Sequence, residues 1–466
     1  VWLAGGGAST ARAQQAFSPA WFAAKVAAQN TAATTGRLPN GLPAHTLGNP
    51  SQQSQAARDR LQRSIDNLGV AAQAIVVQQR LQQQARDAAR GRAGVPDGLA
   101  EGGLKVDADS LTAGWLNAKA PTQVSANGDV TVTIEQTADQ AILNWETFNV
   151  GRRTTVEFQQ DKNWAVLNRV NDPAARPSQI QGRIKADGTV LVLNRNGILF
   201  EGGSQVNVRN LVAAATAMTD AQFQGGLYGA GGAPTFTEAG GAIRVERGAL
   251  IQTSEPKSVT QGGGYVLLLG AEVDNAGEIV TRQGQAALAA GDSFVIRKGL
   301  VAGDTAAGGT TYSTTRGNEI AVIRQPDSAA SGAVSNTGLI LAREGDVTLA
   351  GHQVRQQGVA AATTTVNARG TVHLLNAASD AGGGVALGKD AITAVLIEDD
   401  GKTSALDSQR DALIKESAEQ DLQRLNGNLF DNYSRMSDRR DQSRIEIVSG
   451  GNVVFEGDSL TLATGG

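Results

Sequence analysis

From about Gly103 onward, apolar and polar side chains alternate along the chain. Val130-Thr131-Val132-Thr133-Ile134-Glu135-Gln136 and Thr155-Val156-Glu157-Phe158 carry the pattern, and similar short runs broken by Gly, Asn and Asp continue to the end. A period of two marks strands with one face turned to a core. The fullest stretch is Thr189-Val190-Leu191-Val192-Leu193, then the turn Asn194-Arg195-Asn196-Gly197, then Ile198-Leu199-Phe200, a Gly202-Gly203 break, and Gln205-Val206-Asn207-Val208. Strand, turn and strand in this order is the grammar of a β-solenoid coil.

The chain also matches itself. Val273-Asp274-Asn275-Ala276-Gly277-Glu278-Ile279 aligns with Val334-Ser335-Asn336-Thr337-Gly338-Leu339-Ile340 at an offset of 61, and the match runs on through Arg282/Arg343, Gly284/Gly345, Leu288/Leu349 and Ala289/Ala350. We read this offset as three coils of about 20 residues each. A lone coil cannot bury its apolar side, so stacking must supply the core. Repeated Asn at one corner would stack into ladders. The expected fold is all-β, a right-handed parallel β-helix by the crossover rule, with an N-terminal α-helical extension and a charged helical insertion.

The extension is Ser51 to Arg92, where Leu61, Ile65, Leu68, Ala72, Ile75, Val76 and Leu81 recur at helical spacing. Seven Arg against three Asp make it basic. Such a face is usually solvated, the alternative being a membrane surface or a partner barrel. Gly91, Gly94, Pro96 and Gly98 end it. The insertion, Ile397 to Arg444, is rich in Asp, Glu, Arg, Lys and Gln and reads as one or two helices between coils. Strands resume at Ile445-Glu446-Ile447-Val448 and Asn452-Val453-Val454-Phe455 and stop in mid-pattern at Gly466, so continuation is expected. At the other end, Ala11-Arg12-Ala13 fits a signal-peptidase site. The expected domains are a signal-peptide remnant at 1–13, a leader with the basic helix at 14–104, a first β-helix domain at 105–310, further repeats at 311–396, the insertion at 397–444 and a truncated continuation at 445–466.

Composition narrows the class. Of 466 residues 57 are Gly, which punctuates short strands, while aromatics are only 4%, enough for a thin core filled by Val, Ile, Leu and Ala. A net charge of −4 argues against nucleic acid as a partner. The absence of Cys excludes disulfide locks and suits a chain that crosses a membrane unfolded. No apolar run is long enough to span a bilayer as a helix.

Four blocks carry a resemblance: Asn144-Trp145-Glu146-Thr147-Phe148-Asn149-Val150-Gly151, Val166-Leu167-Asn168-Arg169-Val170, Ser178-Gln179-Ile180-Gln181-Gly182, and Leu193 through Ala215. In order and spacing they resemble the N-terminal domain of the filamentous haemagglutinin family, the exported partner of two-partner secretion, over roughly residues 105 to 300. The resemblance implies a secretion signal read by a cognate outer-membrane β-barrel transporter through its periplasmic domains. Its residues here would be Asn144, Trp145, Phe148, Asn149, Asn194, Asn196, Gly197 and Ile198. The family's turn is Asn-Pro-Asn-Gly; this chain has Arg195 in place of Pro, while Gly197 keeps the φ > 0 position. A second such motif has a degraded counterpart in Asn168-Arg169-Val170-Asn171-Asp172-Pro173. The resemblance also implies a secreted or cell-surface protein of a Gram-negative bacterium. A structural reading stands beside the functional one, with Asn144 in a turn and Trp145 capping the core of the first coils, and the two can coexist.

The residues offer little chemistry. His352 and His373 stand 21 apart, about one coil, and so could stack, but without Cys or paired carboxylates nearby they read as surface residues rather than metal ligands. His45 lies in the leader, and Glu398-Asp399-Asp400 beside Gly401 reads as a solvated turn. No phosphate or dinucleotide loop, Ser elbow or Cys nucleophile is present. Arg282, Arg343 and Glu344 lie on separate coils, so no catalytic, cofactor or metal site is assigned. The expected function is a non-enzymatic exported adhesin-type protein, with host or bacterial receptors or glycans as further partners. The alternatives are the stalk of a contact-dependent toxin and a carbohydrate-active β-helix enzyme.

Overall fold

In the computed structural model of this chain, Thr189–Leu193, Ile198–Phe200 and Gln205–Val208 are three strands of one coil, each in a different sheet. The next strand, Asn210–Ala214, returns parallel to the first, with Leu211 beside Val190 and Ala213 beside Val192. The described residues build three such sheets of ten, eight and eleven strands. Neighbours pair parallel throughout except at the N-terminal end. There Leu104–Val106 lies antiparallel on Gln140–Phe148, and Thr122–Ala126 antiparallel on Asp129–Glu135. These two strands cover edges that would otherwise invite pairing with another chain. The expected parallel β-helix is the fold.

The structure describes residues 50–89, 91, 94–108, 114–228, 233–254, 264–298, 317–325, 328, 332–364, 370–397, 430 and 443–464. Two compact units divide the chain, one of residues 1–70 with 402–407, the other of Ala71–Gly401 with Ser408–Gly466. In the first, the described part is the opening of a helix, Pro50–Ala89. The signal-peptide remnant, His45 and most of the charged insertion (398–429 and 431–442) lie outside the described residues. The coils belong to the second unit.

The 61-residue repeat has a different origin from the one its length suggests. Ile279 lies beside Ile340, Val273 beside Val334 and Leu288 beside Leu349, so the matching segments are adjacent coils. The additional chain leaves the stack as an excursion that includes the antiparallel hairpin Ser293–Lys298 with Asn318–Ile323. The expected ladder is present on the stacked corner. Asn275 Nδ2 donates to Asn336 Oδ1 at 2.8 Å, and Asn336 Nδ2 donates to Gln356 Oε1 at 2.7 Å, all three buried. Such bonds satisfy amides that would cost free energy if buried alone.

Excursions also explain why the ten-stranded sheet lacks alternation. Val190, Val192, Val266 and Leu268 face the inner core. Their sequence neighbours Leu191, Leu193, Leu267 and Leu269 form a second cluster with Phe223, Phe236, Phe294 and Phe430. Phe223 belongs to the short helix Asp220–Gln224, and Phe294 to the hairpin. A sheet buried on both faces reads as continuous apolar sequence. Phe430 of the insertion is anchored there: its ring lies 5.4 Å from that of Phe223, and its carbonyl accepts from Tyr265 Oη at 2.8 Å.

The helix Pro50–Ala89 confirms the periodicity but not the buried face. Ile65, Ala72, Val76 and Leu81 are exposed, Leu68 and Ile75 half-buried, and the Leu61 side chain is outside the described residues. The buried positions are Ala71, Gln82, Arg86 and Ala89. The corner that Gln82, Arg86 and Ala89 meet presents backbone N–H and C=O groups and a carboxylate, which an amide and a guanidinium satisfy and a leucine cannot. Arg58, Arg63 and Arg80 are exposed, as a solvated basic face requires.

Phe294→Ala should destabilise the second unit by about 3–5 kcal/mol, because a fully buried ring of the outer layer leaves a cavity. Urea unfolding followed by far-UV circular dichroism measures this. A loss under about 1 kcal/mol would mean that the outer layer collapses around the gap.

Candidate functional site

The four blocks of the secretion-signal reading come together at the N-terminal end of the stack as consecutive coil segments tied by side chains. Trp145, fully buried on the strand Gln140–Phe148, donates from Nε1 to Asn168 Oδ1 at 3.0 Å. Asn168, buried on the next strand of that sheet, Ala165–Val170, donates from Nδ2 to the carbonyl of Leu191 at 3.1 Å. One asparagine thus links three coils.

The third block receives the other asparagines. Asn149 Oδ1 accepts from the backbone N–H of Gln179 at 2.8 Å, while its Nδ2 donates to Gly102 O at 3.0 Å. From the coil above, Asn194 Nδ2 donates to Ser178 Oγ at 3.0 Å and to Arg176 O at 3.1 Å. The strand Ser178–Ile180 is therefore gripped at adjacent residues by Asn149 and Asn194.

Asn194 also shapes its own turn. Its Oδ1 accepts from Asn196 N at 3.0 Å, and its carbonyl accepts from Gly197 N at 2.9 Å. Side-chain capping of this kind is what asparagine does in turns. Gly197 has φ +115°, as expected, and a Cβ there would stand 2.7 Å from the Ala242 carbonyl of the next coil. Ile198 is buried in the core, Asn196 is half-buried, and Arg195 is exposed. The Arg195 guanidinium reaches Glu238 Oε2 at 2.9 Å in open solvent, a pair worth little to stability.

One correction concerns the first block. Asn144 is not in a turn; it lies within the strand Gln140–Phe148 and donates to Gly114 O at 2.8 Å. It has this geometry because the antiparallel cover of the first coil needs polar partners. Trp145 does cap the first coils' core, packed edge-on against Trp115 (5.0 Å) and Phe148 (5.3 Å). The sequence reading missed Trp115, whose Nε1 donates to Asn144 O at 3.1 Å, and the linking role of Asn168. A lone Asn in the apolar run Ala165-Val166-Leu167-Asn168 was the available signal, since a polar residue on an inner strand needs a fixed partner.

The histidines do not stack. Thr348 and Glu446 lie beside His373 in the sheet, and His352 sits at a corner with Nδ1 2.7 Å from Asp380 Oδ2. Burial would raise the Asp380 carboxyl, but hydrogen bonds from His352 and Asn376 hold it below the usual range. His373 is not a surface residue. It is fully buried on the outward side of the ten-stranded sheet, with Nδ1 bonded to Glu446 Oε2 at 3.0 Å and Nε2 in ionic contact with Asp346 Oδ1 at 3.0 Å. Burial alone lowers its pKa, but the two carboxylates outweigh it and push the imidazole up to about 9. Asp346 is buried too and accepts from Gln285 Nε2 at 3.1 Å, Thr348 Oγ1 at 2.7 Å and Thr371 Oγ1 at 2.5 Å. Among the described residues no cluster of three or more His, Asp or Glu could hold a metal ion.

A family of known proteins matches over the same segment. The family described as the TPS secretion domain matches residues 111–388. The chain is 31% identical over 220 residues to a heme/hemopexin-binding protein of Haemophilus influenzae, covering 47% of this chain and 21% of that protein. A second Haemophilus influenzae protein of that description is 40% identical over 83 residues, covering 18% of this chain and 9% of its own. The chain thus spans about a fifth or less of the length of these relatives. Among solved structures it is similar to the HMW1 secretion domain from Haemophilus influenzae, at 21% identity and a TM-score of 0.43, over 61% of this chain and 70% of that one.

Asn168→Leu should cost about 1–3 kcal/mol for each of the two buried groups left unpaired, the Trp145 indole N–H and the Leu191 carbonyl. An unchanged urea midpoint would show that neither bond contributes. A second outcome concerns pH. The His373 pKa is raised from 6.5 to about 9 in the folded chain, so its ionic stabilisation is complete below pH 6.5 and is lost as pH rises through about 9. His373→Gln should flatten the fall in unfolding midpoint between pH 6.5 and 9.5. Parallel pH profiles in the two proteins would contradict the ionic role.

Proposed function

The chain belongs to the two-partner secretion (TPS) secretion-domain family, and on that premise we propose that its first coils are the address by which a cognate outer-membrane β-barrel transporter exports it. The observation that carries this reading is the family match over residues 111–388, which contains all four asparagine-stitched blocks. Export leads to the outside of a Gram-negative cell.

The address and the folding nucleus are the same residues in this reading. Trp145, Phe148, Asn149, Asn194, Gly197 and Ile198 are buried in the folded coils. A transporter therefore reads them before they fold, as an extended segment, and releases them into the first coils. Each later coil then adds to a finished edge and buries its own Val, Leu and Ile, at about 1.5–3 kcal/mol per side chain. Folding outside the cell favours export without nucleotide hydrolysis. Once outside, the protein acts in adhesion to host or bacterial surface receptors or glycans. Its relatives here are secretion-domain proteins rather than enzymes, in keeping with a non-enzymatic role.

Co-expression with its cognate outer-membrane β-barrel transporter, in a Gram-negative host lacking other such transporters, tests the proposal. The chain should reach the medium only with the barrel present. Asn194→Ala and Trp145→Ala should lower export at least tenfold, while Arg195→Pro should leave it unchanged. Export without the barrel, or export indifferent to Trp145 and Asn194, would refute the reading.

A further inference from the structure

Gln82, Arg86 and Ala89 of the leading helix hold the corner between the eight- and eleven-stranded sheets in three consecutive coils. The corners are Gly202-Gly203, Gly248 and Ala276–Glu278, and the strands preceding them stack directly, Ile198 beside Ile243 and Ile243 beside Val273. Gln82 is fully buried; its Oε1 accepts from Gly248 N at 2.7 Å and its Nε2 donates to Ala276 O at 2.8 Å. Arg86, also buried, donates from Nε to Gly248 O at 2.9 Å and reaches Glu278 Oε2 from Nη2 at 3.1 Å. Both backbone groups of Gly248 are thus taken by the helix. Gly248 has φ +94°, and a Cβ there would stand 2.7 Å from the Arg86 backbone N, so the seat is closed to larger residues. Ala89 completes the contact, with its Cβ 3.4 and 3.8 Å from where Gly202 and Gly203 would carry theirs.

These bonds join residues 162 to 194 apart in sequence. No single coil provides the seat, because Gln82 needs Gly248 and Ala276 at once. Closing so long a loop yields nothing until the corners are stacked. The contact is polar and directional, and among the described residues it closes one wall of a cavity of about 540 Å³ lined also by Arg152, Arg153 and Arg183. We propose that residues 71–89 are a strap that docks only after the coil containing Glu278 has stacked, and then holds the first coils against unravelling. Contacts made after the folding barrier show up in the unfolding rate.

The cysteine-free chain offers a clean test. Cβ atoms about 3.8 Å apart suit a disulfide, so Ala89→Cys combined with Gly203→Cys in the full chain should cross-link under mild oxidation when folded, and not in urea. The oxidised protein should unfold at least tenfold more slowly than the same protein reduced. With native Ala89 and Gly203, Gln82→Ala combined with Arg86→Ala should unfold about tenfold faster and be cut by trypsin after Arg80, which the docked helix resists, while the far-UV spectrum is retained. Failure of the folded double-cysteine protein to cross-link would overturn the docking. Equal unfolding rates for its oxidised and reduced forms would overturn the strap, and that comparison uses a single sequence whatever the alanine variants do.

Discussion

Stacking of one coil on the next in register is the constraint on which everything else in this protein depends. Along the stack the strands find their backbone partners in the coils above and below, as Ile198 has Ser178 on one side and Ile243 on the other. The same stacking places Val on Val and Leu on Leu, so hydrogen bonding and apolar burial are satisfied by one translation. It also lines up polar side chains. Asn275, Asn336 and Gln356 form a ladder for the same reason that Ile279 lies beside Ile340.

A stack needs a beginning, and here the beginning is unusually polar inside. Asn149, Asn168 and Asn194 spend their amides on groups of neighbouring coils, around an aromatic cluster of Trp115, Trp145 and Phe148. Buried amides with fixed partners specify one register where apolar residues would tolerate several. The residues that resemble a secretion signal are for the most part the ones that set this register. In the folded chain Arg195 is the exposed member of its turn.

The second unit adds two layers that a bare solenoid lacks. Excursions from the coils carry Phe223, Phe236 and Phe294 over the outer face of the ten-stranded sheet, and the leading helix covers a corner through Gln82 and Arg86. One contact is apolar and broad, the other polar and confined to a few atoms. On the outward face of the same sheet His373 is buried between Asp346 and Glu446, which keep the imidazole charged in a place where an unpaired one would be neutral.

What the sequence determined by itself was local. Alternation with a period of two, turn residues and Gly breaks were enough for the strands and for the positive φ of Gly197, because each follows from neighbours within a few positions, and the self-match of the chain added that the strands stack as coils. Tertiary structure decided whatever depends on where the chain returns. The offset of 61 is one coil plus an excursion, since spacing alone cannot tell chain that stacks from chain that leaves the stack. The docked face of the helix is Gln82, Arg86 and Ala89 because its seat is backbone from three coils, which no helical periodicity encodes. Asn144 lies in a strand, and His373 beside Glu446, 73 residues on, for the same reason: register between coils is a long-range quantity, fixed only when the stack closes.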